Sequence, residues 1–208
     1  MSTRGFHSNQ IYCYKAIVKD VVNRSTVILD VDLGFKIHKP NQRYRVLKIN
    51  KHAYKSSAIN SKHKVLRYIR PGDKVIIKSE QINGKHFCEI STEEHDPHLY
   101  QYNAYMVKIV DGDTVDVNLD LGFSTNYIER FRLYGIDAWE TRGEEKTKGL
   151  LAKARVMELA PIGTNIIMRT FKDVKGKYGR YLGEINLLDN DKNVNEILLE
   201  EGHAEVYK

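Results

Sequence analysis

Residues 109–123 read IVDGDTVDVNLDLGF and combine a turn with a regular apolar alternation. After an Asp-Gly turn, Val115, Val117, Leu119 and Leu121 alternate with polar residues until the stretch closes at a Gly-Phe pair. An apolar alternation with period two is typical of a strand that buries one face. The stretch therefore predicts a tight turn that leads into a half-buried β-strand.

The first half of the chain repeats this pattern. Residues 21–35 read VVNRSTVILDVDLGF, 88 positions before their counterparts. Two further blocks follow in the same order: RYRVLKIN at 43–50 corresponds to RFRLYGID at 130–137, and GKHFCEI at 84–90 corresponds to GRYLGEI at 179–185. Three separated blocks in one order indicate a duplicated unit.

Candidate helices at about 57–68 and 144–160 lie between the second and third blocks of each half. A last helix at about 194–204, present only in the second half, would start with Asn193 and Glu196 as a capping box. Three strands, a helix and two strands are the order of a five-stranded Greek-key barrel. We therefore predict a mainly β protein of the α+β class, with two tandem OB-fold-like β-barrels and packed helices.

The distribution of charge differs between the two halves. Residues 93–98 form the expected linker, which gives domains at 1–97 and 98–208. The first contains 18 Lys and Arg against 9 Asp and Glu, and the second contains 15 against 18. The net charge of +6 is thus concentrated in the first domain, which suggests a polyanion such as DNA or RNA as partner.

Nothing in the sequence suggests a membrane partner. There is no run of 18 apolar residues, and the first ten residues lack the apolar core of a signal peptide. The expected location is the cytoplasm. The oligomeric state does not follow from the sequence.

The second half contains residue types that phosphodiester cleavage needs: hard oxygen ligands for a cation, cationic donors for phosphate, and an acceptor for a water proton. Asp113 follows the turn and Asp137 ends a strand, so that a closed barrel can bring both carboxylates to one hard cation such as calcium. Arg132 and Arg180 carry guanidinium forks that suit phosphate oxygens. Glu140 lies three residues beyond Asp137.

Taken in order, these residues resemble the staphylococcal (thermonuclease) nuclease family over about 105–207. The resemblance consists of the Asp-Gly-Asp-Thr block at 111–114, an Arg-containing strand that ends in Asp-x-x-Glu at 137–140, a Lys-Tyr-Gly-Arg block at 177–180 and the last helix. It implies an enzyme, namely a metal-dependent endonuclease (hydrolase) of the thermonuclease type that acts on DNA, RNA or both.

The resemblance also implies residue roles. Calcium would be bound by Asp113, Asp137 and the backbone carbonyl of Ala138. The catalytic residues would be Arg132 and Arg180, which hold the phosphate, and Glu140, which acts as general base or orients water. Further contacts with the substrate would come from Lys177, Tyr178 and Tyr207. One departure from the best-known members is Ala138-Trp139, where those have Thr-Pro, and Trp139 would be either a core residue or a stacking platform.

The first repeat lacks the acidic residues of the second. Ser25, Asn50 and Ala53 stand at the positions of the three carboxylates, whereas Arg45 and Lys85 stand at the positions of the two arginines. This pattern suggests a degenerate, non-catalytic barrel in which Arg45 and Lys85 bind substrate phosphates. The alternative is a barrel that only braces its neighbour.

A second hypothesis concerns the whole chain. It is a non-catalytic nucleic-acid-binding or scaffold protein, similar to the tandem modules of Tudor staphylococcal nuclease, several of which have lost active-site carboxylates. The complete set of acidic and basic residues in the second half favours the enzyme.

Overall fold

A computed structural model describes residues 12–23, 25–50, 69–175, 180–188 and 192–207, without the side chains of residues 50 and 172–175. The chain divides into two compact units, residues 1–99 and 100–208. The division follows the 93–98 segment, in which Asp96 pairs with Lys78 of the first unit at 3.0 Å. Within the described ranges, no helix has the length and apolar character needed to cross a membrane.

The first unit is a closed barrel. Its strands are β1 (Tyr12–Asn23), β2 (Thr26–Asp32), β3 (His38–Asn50), β4 (Lys74–Ile82) and β5 (Lys85–Ser91). They are hydrogen-bonded in the order β1-β2-β3-β5-β4, with β3 and β5 parallel and the other pairs antiparallel. This is the strand order of an OB-fold-like barrel, as the sequence predicted.

The second unit has the same barrel with two helices and a small additional sheet. Its elements are β6 (Gln101–Asp111), β7 (Thr114–Asp120), β8 (Asn126–Leu133), β9 (Ile136–Ala138), α1 (Lys146–Leu159), β10 (Asn165–Lys175), β11 (Tyr181–Leu187), α2 (Val194–Glu200) and β12 (Ala204–Val206). The barrel order is β10-β11-β8-β7-β6, with β8 and β11 parallel. Strands β9 and β12 form a separate antiparallel pair. The predicted fold class is confirmed.

The apolar residues of the alternating stretch at 115–121 lie in the interior of the second barrel. Val115, Val117 and Leu119 of β7 are fully buried, and the polar residues between them are partly exposed. The Gly-Phe closure is a turn with left-handed backbone at Gly122 (φ 71°), Phe123 (φ 52°) and the next residue. The first unit forms the same turn at its own Gly-Phe pair, which is why both stretches end alike.

The two barrels also share their strand registers. Residues 88 or 87 positions apart in the first two sequence blocks, and 95 positions apart in the third, occupy equivalent places in both barrels. The third and fifth strands of each barrel pair in the same way. The corresponding pairs are Thr26 with Arg45 and Thr114 with Arg132 between the second and third strands, and Arg45 with Phe87 and Arg132 with Leu182 between the third and fifth. The three sequence blocks therefore occupy equivalent positions in two separate barrels.

The predicted helices have three outcomes. The helix expected at 144–160 is α1, and the helix expected at 57–68 lies outside the described residues. The last helix was predicted about four residues too long: α2 ends at Glu200, Gly202 has a left-handed backbone (φ 70°), and Ala204 begins β12. Pairing of β12 with β9 therefore overrides continuation of the helix.

Candidate active site

Asp113 is the centre of the candidate site because three elements meet at it. It follows the Gly112 turn between β6 and β7, and its carbonyl accepts from the Leu133 N–H at the end of β8 (2.8 Å). Its Oδ2 accepts from the backbone N–H of Ala138 in β9 (3.1 Å). These bonds hold the start of β7, the end of β8 and β9 together at one end of the barrel.

Arg132 bridges the two aspartates. Its Nη1 lies 2.9 Å from Asp113 Oδ2, and its Nη2 donates to Asp137 Oδ1. The Asp113 side chain is 7% exposed and the Asp137 side chain is 57% exposed, so one carboxylate lies inside the protein and the other faces water. One carboxylate from the β6–β7 turn and one from β9 thus converge on a single positive charge.

Thr114 connects Asp113 to the second arginine. Its hydroxyl donates to Asp113 Oδ1 at 2.9 Å and accepts from Arg180 Nη1 at 3.1 Å. Thr114 is 2% exposed, so this hydroxyl is a fixed link and not a surface group. Arg180 directly precedes β11, the parallel neighbour of β8. Both guanidinium groups are therefore tied to the same buried carboxylate.

The C-terminal strand adds an aromatic ring. The backbone N–H of Tyr207 donates to the Gly135 carbonyl at 3.0 Å, which continues the pairing of β12 with β9. The Tyr207 ring is half-exposed, and its centroid lies 5.3 Å from Arg132 Cζ, within the range of a cation–π contact. Arg132 is thus held by two carboxylates and one ring.

Burial is the main influence on the acidity of Asp113. It raises the pKa of the Asp113 carboxyl, whereas the Arg132 charge and the hydrogen bonds from Ala138 and Thr114 act in the opposite direction. Removing a carboxylate from water disfavours its charged form. Positive charge beside Asp113 therefore favours the ionised form of its carboxyl group, against the effect of burial.

Helix α1 approaches the site through very small residues. A Cβ on Gly112 would lie 2.7 Å from Ala152 Cβ in α1 and 2.8 Å from Ala138 Cβ in β9. A Cβ on Gly149 in α1 would lie 2.3 Å from the backbone oxygen of Glu140. The helix thus packs directly against the turn that presents Asp113 and against the backbone that presents Glu140.

This contact gives the first prediction, for Gly149→Ala. We expect the free energy of unfolding to fall by about 1–3 kcal/mol because the added methyl group meets rigid backbone, although Ala is the better helix former. We also expect slower turnover because the Glu140 backbone has to move. Thermal melts and cleavage rates measure both effects. Leu151→Ala, at a position 56% exposed, is the control and should change stability by less than about 0.5 kcal/mol. A stable, fully active Gly149→Ala variant would contradict the prediction.

Not every residue singled out from the sequence has a contact in this cluster. The Glu140 side chain is exposed, and its tie to the site is through its backbone. Lys177 and Tyr178 lie outside the described residues. Arg45 and Lys85 are exposed on β3 and β5 of the first unit. Trp139 is partly buried, with Lys148 Nζ 5.0 Å from the centroid of its ring.

The acidic pair has the donor chemistry that calcium requires. Both carboxylates offer hard oxygen atoms and already converge on one cationic group, Arg132. The backbone of Ala138 lies beside them because its N–H donates a hydrogen bond to Asp113 Oδ2. In the part of the chain that is described, no cluster of three or more His, Cys, Asp or Glu side chains is placed to hold a metal. Calcium takes six to eight oxygens, so water and substrate oxygens would have to complete its shell.

Sequence reasoning left some contributors without a role. Thr114 belongs to the Asp-Gly-Asp-Thr block, but the sequence analysis assigned it no role. Its position directly after Asp113 is the sequence feature that could have indicated one. Gly149 and Ala152 lie on α1, where an i, i+3 pair of small residues is the only sequence sign of a close helix contact. Their importance depends on the path of the 139–140 backbone, which local sequence does not specify.

Comparison with known proteins finds a similarity over part of the second unit. Residues 130–208 match the family model described as Staphylococcal nuclease homologue. The match contains Arg132, Asp137, Glu140 and Arg180, whereas Asp113 precedes it. No curated protein matches the chain significantly. The match supports the staphylococcal nuclease family for this part of the second unit and indicates a nuclease or nucleic-acid-binding function.

Proposed function

We propose that residues 98–208 form a calcium-dependent endonuclease that hydrolyses phosphodiester bonds of DNA, RNA or both. The observation that carries this proposal is the convergence of Asp113 and Asp137 on Arg132, with Thr114 linking the same buried carboxylate to Arg180. Two carboxylates and two guanidinium groups in one cluster match the demands of a reaction at a phosphate.

The metal would be held by Asp113, Asp137 and the carbonyl of Ala138. A calcium ion at this position would offset the negative charges of the carboxylates and the substrate and would stabilise charge that develops on phosphate oxygens. Asp113 is suited to be the buried ligand because the Ala138 N–H fixes the position of its Oδ2 atom. Asp137 is suited to be the solvent-facing ligand because more than half of its side chain is exposed to water.

The remaining side chains would act directly on the substrate. Arg132 and Arg180 would donate to the non-bridging phosphate oxygens, and Glu140 would orient a water molecule and accept its proton as the water oxygen bonds to phosphorus. The resemblance implies that the bond to the 5′-oxygen breaks, so that the product keeps a 3′-phosphate. Tyr207, beside Arg132, and Lys177 and Tyr178 would contact the nucleotides next to that phosphate.

The decisive experiment, and the second prediction, concerns metal dependence. We expect the purified chain to cleave DNA or RNA in the presence of calcium, and excess chelator to slow cleavage by at least about 100-fold, since charge stabilisation by a metal amounts to several kcal/mol. Re-addition of calcium should restore the rate. Tight binding without cleavage under all metal conditions would favour the non-catalytic scaffold instead. Full cleavage in chelator would exclude the metal.

We further propose that residues 1–97 are a degenerate repeat of the nuclease unit that binds nucleic acid without cutting it. The equal registers of the two barrels support a common origin, and the exposed Arg45 and Lys85 occupy the places of Arg132 and Arg180. The first half also holds the excess of positive charge. Ser25 stands at the position of Asp113, so this barrel lacks a counterpart of the buried carboxylate that would bind the metal.

The third prediction tests this role with Arg45→Ala combined with Lys85→Ala. We expect weaker nucleic-acid binding and a slope of log K against log salt that falls by about 1 per lost phosphate contact. Maximal turnover on short oligonucleotides should remain within a factor of about two. Lys15→Ala combined with Lys74→Ala removes the same charge from other exposed positions of the barrel and serves as control. An unchanged salt slope in a well-folded double variant would leave only the bracing role.

A further inference from the structure

Two aromatic rings form a pair on the outer surface of the second barrel. The ring centroids of Tyr134 and Phe171 lie 4.1 Å apart with an interplanar angle of 32°. Tyr134 is 45% exposed and Phe171 is partly exposed. Arg169 Cζ lies 5.7 Å from the Phe171 ring centroid, and its Nη1 lies 3.3 Å from Glu184 Oε2. This is an aromatic surface with a cation at its edge.

One ring of the pair, Tyr134, lies next to the candidate active site, two residues after Arg132. Phe131 and Leu133 at the end of β8 point into the barrel, so Arg132 points outward. Tyr134 directly follows β8, in the turn before β9, and is exposed. Residues two positions apart in the chain are separated by at most about 7 Å, a distance comparable with the spacing of neighbouring nucleotides in an extended single strand. A nucleic-acid strand with a phosphate at Arg132 therefore has its adjacent nucleotide within reach of the Tyr134 ring.

The backbone beneath the pair is firmly held. The Tyr134 N–H donates to the Gly183 carbonyl at 2.8 Å, and Asn195 Nδ2 donates to the Tyr134 carbonyl at 2.9 Å. Asn195 is 3% exposed, and its Oδ1 also accepts from the Ile185 N–H at 3.3 Å. Tyr134 is thus positioned by a buried amide, which lowers the conformational cost of presenting its ring to a ligand.

We propose that Tyr134 and Phe171 form a stacking platform for a base of single-stranded nucleic acid, one nucleotide from the phosphate that is cleaved. This inference rests on the proposed function and adds a substrate preference to it. A base in a duplex has both faces covered by its neighbours, whereas an unpaired base exposes a face that aromatic side chains can cover. Single strands, loops and frayed ends should therefore be bound better at this site than intact duplex.

The test measures dissociation constants in calcium with the Glu140→Gln chain, so that the ligand is recovered intact. The ligands are an oligothymidylate, an abasic sugar-phosphate strand of the same length, and a duplex. Tyr134→Leu should weaken binding of the oligothymidylate by about 10-fold, as expected for one lost stacking contact. Binding of the abasic strand and the duplex should change by less than about two-fold. Tyr134→Phe keeps the ring and should restore binding.

Controls separate stacking from packing. Ile128→Ala removes another exposed apolar side chain from the outer face of β8, 61% exposed, and should leave all three constants unchanged. Phe171→Leu should act in the same direction as Tyr134→Leu. An equal loss for the abasic and base-containing strands, or a lower melting temperature with no change in any constant, would overturn the platform. Cleavage by the wild-type chain is scored separately, so that failure of the platform and failure of the nuclease are distinguishable.

Discussion

Arg132→Lys is expected to lower the turnover number of nucleic-acid cleavage by about 100- to 1,000-fold, with a much smaller change in substrate affinity. The loss corresponds to that of one preorganised donor to the charge that develops in the transition state. Lysine keeps the positive charge but presents a single ammonium group, whereas Arg132 contacts two carboxylates through separate nitrogens. Steady-state kinetics on a defined oligonucleotide measure the two effects separately.

Lysine is chosen for this test because complete removal of the charge would disturb the fold. The Asp113 side chain is buried, and burial already raises the pKa of its carboxyl. Without Arg132 this carboxylate would lose its counter-charge, and breaking a buried ion pair costs about 3–5 kcal/mol. A loss of activity in Arg132→Ala would therefore mix instability with catalysis, whereas Arg132→Lys keeps a cation beside Asp113.

The same strand provides a matched control. Arg130 also holds an aspartate through two nitrogens, with Nε 2.6 Å from Asp116 Oδ1 and Nη2 2.9 Å from Asp116 Oδ2, but this pair lies on the surface. Arg130→Lys should leave turnover within about two-fold because surface ion pairs contribute little. Arg180→Lys should behave like Arg132→Lys. If Arg132→Lys changes only substrate affinity, Arg132 is a docking residue and not a catalytic one.

The fold was predictable because its signals are local and occur twice. The alternation around Val117 specifies a strand with one buried face, and the Gly-Phe closure specifies where that strand turns. The same pattern occurs 88 positions earlier, so two independent stretches predict the same strand and turn. The end of α2 was not predictable in the same way, because the register of β12 with β9, which ends the helix, is a contact between distant segments.

The candidate site was predictable as a set of residue types and not as an arrangement. Asp113 and Asp137 were expected to share a cation because they lie at strand ends. Their common contact in the structure is Arg132, which the sequence analysis assigned only to phosphate. The bridging hydroxyl of Thr114 and the close approach of Gly149 depend on side-chain rotamers and helix placement. Neither leaves a periodic pattern in the sequence.

The other large effect is expected for Glu140→Gln, which should lower turnover by about 100-fold or more, as is typical when a general base is neutralised. The amide has nearly the same shape as the carboxylate, and the Glu140 side chain is exposed, so the fold should be unaffected. Substrate affinity in calcium should stay within about two-fold. Glu144→Gln, also exposed and four residues away, is the matched control and should cut at the wild-type rate. A wild-type rate in Glu140→Gln would remove Glu140 from the mechanism.

Combining this change with Gly149→Ala tests how the fold positions the base. The Gly149 backbone lies directly against the backbone of Glu140, so a methyl group at 149 should reduce turnover mainly by moving residue 140. If so, the two changes act through one group, and Gly149→Ala should lower turnover little further in the Glu140→Gln background. Multiplicative losses in the double variant would show instead that α1 supports the site by a second route, for which the Gly112 contact with Ala152 is the nearest candidate. Turnover of the four chains, compared at a temperature at which all are folded, distinguishes the two results.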